Sequence, residues 1–166
     1  MARFITINEL KQDGFINKNL EEEYLHTAID EAQLIWLKEI LGDKLYDTLE
    51  AMKQTNTLSG IYGELMNDYI KIFLKYKVCS LLCVPLNFKL RNAGVVTQYS
   101  NEMNSSNLED TKFIESFYSG KADFFANRIT RFLELNKKDI PEYKWCCKEV
   151  TNPNGNHPVC SIYLGR

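Results

Sequence analysis

The chain of 166 residues carries 20 Lys and Arg against 22 Asp and Glu, a formal charge of −2, with 45% hydrophobic, 25% charged and 12% aromatic residues. That profile fits one globular domain and excludes a disordered chain, a collagen-like repeat and a low-complexity polymer. It also speaks against a dedicated nucleic-acid binder, whose affinity rests on a basic surplus that neutralises phosphates.

In chain order, Phe4, Ile5 and Ile7 alternate with other residues and predict a short edge strand or an extended arm. The opening run has no apolar stretch of ~7–15 residues before a small-residue cleavage site, so no secretory leader is expected. Gly14 and Asn17-Lys18-Asn19 predict a turn. Asn19 is then the expected cap of the first helix, with Glu22 completing a capping box and Glu21, Glu22 and Glu23 facing the positive end of the dipole. Leu25, Ala28, Ile29, Ala32, Trp36 and Ile40 recur at helical spacing, and Gly42 supplies the stop. Asp43 opens a second helix with Leu45, Leu49 and Met52 on one side, and residues 55–63 form a polar loop.

The third helix, residues 64–84, is the central one. Leu65, Tyr69, Ile72, Phe73, Tyr76, Cys79 and Cys83 form a stripe, and Met66, Ile70, Leu74, Val78, Leu81 and Leu82 carry apolar surface nearly all round it. Pro85 is expected to end it. Trp36 and Phe73 should be buried on facing helices. Residues 88–106 lack a helical period, and Asn92-Ala93-Gly94 predicts a β-hairpin or a long loop. A fourth helix, residues 108–136, shows Ile114, Tyr118, Ala122, Phe125, Ile129, Phe132 and Leu133 on one face, with a helix-weakening Gly120 inside. Beyond Pro141, runs at 145–150 and 159–164 flank a turn at 152–156, a second hairpin pattern. The expected fold is mainly α. A bundle of about four helices occupies residues 1–136 with the 88–106 loop inserted, and an extended or β-like tail covers 137–166.

Residues able to do chemistry are sparse. Cys79 and Cys83 share a helix face, but they continue an apolar stripe and are expected in the core. Cys146, Cys147 and Cys160 with His157 form a group of metal-ligand types without a C-x-x-C, and adjacent strand residues point to opposite faces, so their spacing argues against a shared ion. His26 sits off the apolar stripe and is expected at the surface. No G-x-S-x-G elbow, H-E-x-x-H pair or glycine-rich phosphate loop occurs. The 5 cysteines suit a reducing compartment, and no stretch approaches the ~20 apolar residues of a membrane span. No catalysis, cofactor or metal is expected.

Charge is unevenly spread. Residues 19–53 hold nine acids and three lysines, whereas residues 67–94 hold Lys71, Lys75, Lys77, Lys89 and Arg91 against Asp68 alone. Either the two regions neutralise each other within one domain, or they form flanks for a head-to-tail interface between copies. The runs Ile16-Asn17-Lys18-Asn19-Leu20, Ala28-Ile29-Asp30-Glu31-Ala32-Gln33 and Ile40-Leu41-Gly42-Asp43-Lys44-Leu45-Tyr46 resemble the head-to-tail connector proteins of crAss-like phages. So do Tyr69-Ile70-Lys71, Leu90-Arg91-Asn92-Ala93-Gly94-Val95-Val96 and the final amphipathic helix, the whole resemblance covering residues 4–135.

The resemblance implies a helical ring subunit, about twelve copies closing around an axis. The ring would be part of the virion, put together in the cytoplasm of the bacterial host. It would sit beneath the portal, bind the portal and the next connector or tail protein, and pass DNA through its lumen without sequence-specific contact. The residues expected at interfaces are Lys75, Lys77, Arg91, Val95, Val96, Tyr99, Trp145 and Tyr163. Two other readings stand beside this one: a small scaffolding or regulatory module binding a cellular protein, and a zinc-stabilised nucleic-acid binder using the tail.

Overall fold

A computed structural model describes residues 2–12, 16–91, 94–97 and 108–143. Phe4 and Ile5 are fully buried, but the segment bends and turns directly into a helix, α1 (Ile7–Gln12), instead of forming a strand. The reason is local. The Thr6 N–H and hydroxyl donate to Glu9 Oε2 at 2.8 and 2.9 Å, and the Glu9 N–H donates back to Thr6 Oγ1 at 3.2 Å. This reciprocal T-x-x-E box satisfies donors that a helix start otherwise leaves open.

The second helix, α2, spans residues 22–41 in three stretches: Glu22–Glu31, a π-helical turn and a half at Ala32–Leu37, and Lys38–Leu41. Glu21, not Asn19, occupies its N-cap, and Asn19 instead donates its N–H to Asn17 Oδ1 at 2.9 Å in the preceding turn. Glu22 and Glu23 lie in the first turn as the dipole favours. Gly42 stops the helix with a φ of +76°, which glycine alone adopts cheaply, and its N–H donates to the Lys38 carbonyl at 2.9 Å.

Next come α3 (Asp43–Gln54) and α4, residues 60–87, which comprises Gly60–Glu64, a second π-helical stretch Leu65–Ile70, and Lys71–Asn87. The loop before α4 is shorter than the predicted 55–63 because helix begins at Gly60. Pro85 lies inside α4 and does not end it. A proline costs a helix the hydrogen bond to the carbonyl four residues back. So close to the end the helix tolerates this, and the Asn87 side-chain amide caps the Cys83 carbonyl at 2.8 Å. The chain then forms an antiparallel hairpin of β1 (Phe88–Arg91) and β2 (Gly94–Thr97), with Leu90 opposite Val95. The last helix, α5 (Leu108–Leu135), runs unbroken through Gly120.

The molecule is therefore mainly helical, the described residues forming a bundle of four long helices and one short one with a hairpin between α4 and α5. The largest packing seam joins α4 to α5, where Tyr69 meets Phe132 at 4.8 Å between ring centroids and Tyr76 stacks on Phe125 at 5.7 Å. Phe73, Leu74 and Val78 of α4 and Ile129 and Leu133 of α5 form the centre of the core. Beyond α5, Ile140 is buried, and the Tyr62 hydroxyl donates to Glu142 Oε2 at 2.7 Å, fastening residues 140–143 to the start of α4. The second hairpin pattern of the tail lies outside the described residues.

Candidate interaction surface

Lys77 was expected on an exposed basic flank, yet it is only 5% exposed. Its ammonium lies over the Trp36 indole, 3.5 Å from the ring centroid. Burial pushes its pKa down, opposed by the carboxylates of Asp123, Glu115 and Glu31. Trp36 is not the core residue its spacing predicted: it is 40% exposed and covers the lysine. The π-helical stretch explains this. Ala32 and Gln33 are both buried, and beyond them the wider turns advance the buried stripe by one position, so Leu37 and Leu41 face inward where the predicted period placed Trp36 and Ile40.

Lys71 is likewise engaged internally, its ammonium 2.7 Å from Glu9 Oε1, and Lys75 is half-buried. At Lys71 and Lys77 the basic segment thus serves compensation within the subunit. Arg91, Val95 and Val96 lie on the hairpin strands, Arg91 paired with Gly94. Tyr99, Trp145 and Tyr163 lie outside the described residues, as do Cys146, Cys147, Cys160 and His157. Cys79 packs in the core, where burial pushes its thiol up to about 11, and the half-buried Cys83 donates its Sγ–H to the Cys79 carbonyl at 3.2 Å. His26 is half-buried, not solvated, with Nδ1 lacking a hydrogen-bond partner among the described residues. No three His, Cys, Asp or Glu side chains converge among the described residues, and no described helix is long and apolar enough to cross a membrane.

The inward face of α5 follows the predicted stripe, except that Ile114 is exposed. The outward face carries a second stripe that the sequence reading did not assign. Phe113, Phe117 and Phe124 are 73%, 51% and 58% exposed. Their spacing of four and seven residues is itself helical, and that was the available signal. Gly120 sits between Phe117 and Phe124 with open space where a Cβ would be. With Tyr76 and Phe125 these residues line a shallow groove of about 430 Å³. Lys121 stands over Phe117 at 4.2 Å and near Tyr76 at 5.3 Å, and the Arg128 guanidinium lies 5.9 Å from Phe124 and 5.7 Å from Tyr69. The groove is aromatic at its floor and cationic at its edge.

A second apolar patch lies on α2, where Leu34 and Ile35 project from the π-helical stretch, 49% and 55% exposed. Glu31 and Glu39, both exposed, stand one turn to either side of Ile35.

These features define a small helical-bundle protein whose described surface carries an aromatic, cation-rimmed helix face. The chain belongs to DUF6712, described as a family of unknown function, whose pattern spans residues 37–153 and so includes the hairpin and all of α5. No curated protein and no solved structure matches the chain.

Proposed function

We propose that this protein is a non-catalytic virion structural subunit, forming a ring in a phage head-to-tail connector beneath the portal and extending the DNA channel. The observation that carries the reading is the outward face of α5. Three phenylalanines in a row on one helix face, open to water in the single chain, form the kind of patch that marks a protein interface. A ring supplies such an interface for every copy at once. Supporting it are the resemblance over residues 4–135, which implies a helical core with a long loop between the third and fourth helices, and the helical fold, in which a segment with a hairpin separates the last two long helices. The formal charge of −2 suits a channel wall that must let DNA slide instead of gripping its phosphates.

Electron microscopy of the purified chain, alone and mixed with a portal ring, tests the proposal. Closed rings, or a ring added below the portal, are the expected result. A chain that stays monomeric in both samples and captures a cellular protein instead would favour the scaffolding reading.

A further inference from the structure

The groove and the α2 patch are both apolar and carry opposite charge at their edges. The groove is a concavity floored by Phe117, Gly120 and Phe124, with Lys121 and Arg128 at its edge. The patch is apolar and exposed, with Glu31 and Glu39 beside it.

They also lie on opposite flanks of the α4–α5 seam. Lys121, at the groove, approaches Tyr76, whereas Glu115 and Asp123 act on Lys77 beneath Trp36. Consecutive residues of a helix point about 100° apart, so Tyr76 and Lys77 lead to different sides. One molecule therefore cannot close its own patch into its own groove. A contact made on one flank leaves the other open for the next copy.

We infer that the groove on α5 of one copy receives Leu34 and Ile35 of a second copy, with Glu31 and Glu39 meeting Lys121 and Arg128, and that this repeated heterologous contact builds the ring. The inference rests on the ring reading and specifies its interface. Gly120 then has a role that helix stability alone does not give it, keeping the groove floor open for an aliphatic side chain.

Two variants test this without disturbing the fold. Gly120→Leu fills the groove at a position where added carbon meets nothing in the subunit. Leu34→Ser with Ile35→Ser removes the ridge from exposed positions. By sedimentation velocity and native mass spectrometry the wild-type chain should assemble, and each variant alone should run as a single subunit. Mixed together they should form a one-to-one heterodimer, because the Gly120→Leu chain keeps its ridge and the serine variant keeps its groove. Wild-type rings accompanied by rings of either variant, or by a mixture that stays monomeric, would overturn the inference and leave the ring standing. A wild-type chain that never assembles would remove both.

Discussion

Lys77 shows how one residue can change meaning between sequence and structure. On α4 it reads as a surface cation, but the indole of Trp36 and the distant carboxylates of Glu31, Glu115 and Asp123 make a partly desolvated ammonium tenable. A desolvated cation–π pair contributes about 2 kcal/mol, offset by the cost of taking the charge out of water. Lys77→Met, which keeps the stem and drops the charge, should therefore shift stability by less than about 1 kcal/mol. Lys77→Glu places a carboxylate against three others beneath an electron-rich ring and should cost about 3–5 kcal/mol. Chemical denaturation of the two variants checks the pair of values, and equal effects would show that the charge is not sensed there. Phe73, buried at the centre of α4, belongs to the simpler case of a core aromatic. Phe73→Ala should cost about 3–5 kcal/mol in the same measurement.

At the scale of elements, α1 depends on a box whose acid is shared. Glu9 accepts from Thr6 and also pairs with Lys71 of α4, so one carboxylate caps a helix and docks it. Burial alone would raise its pKa, but the Lys71 ammonium and the two Thr6 donors outweigh it and hold the carboxyl at about 2 against an ordinary 4.5. Because the folded value is depressed, the stabilisation is complete above about pH 4.5 and is lost as pH falls from there towards 2. Thermal melts across that window should drop more steeply for the wild type than for Glu9→Gln, and parallel curves would refute the role of this group. Within α5, Gly120 is exposed and unopposed, so Gly120→Ala should raise stability by up to about 1 kcal/mol, read as a higher melting temperature.

The elements themselves were largely legible, because the apolar periods of α2, α3, α4 and α5 are long and Gly42 is an unambiguous stop. The errors arose where short-range chemistry competed with period. The three-residue alternation of Phe4, Ile5 and Ile7 suggested a strand, while Thr6-Ile7-Asn8-Glu9 carried the helix start in plain view. Trp36 was misplaced because a π-helical stretch leaves no trace in a 3.6-residue count. The aromatic face of α5 went unread for a different reason: once one stripe had been given to the core, Phe113, Phe117 and Phe124 had no evident use within a single chain. Side chains that would serve the proposed assembly look surplus from inside one subunit.

That argument extends to the hairpin at the scale of the whole molecule. Among the described residues its sheet consists of β1 and β2, four residues each, directly after the end of α4. A two-stranded hairpin is marginal in water, since ordering each residue costs about 1–2 kcal/mol and two short strands bury little to offset it. In the proposed ring the neighbouring copy or the portal would offer further surface for it to pack on. Hydrogen exchange on the free subunit and on assembled particles should therefore differ most at the amides of β1 and β2, with slow exchange only after assembly. The α4–α5 seam, whose Phe73 and Ile129 are already buried in one chain, should exchange slowly in both samples. Equal protection of the hairpin before and after assembly would mean that the subunit's own packing holds it, and its place at an interface would have to be given up.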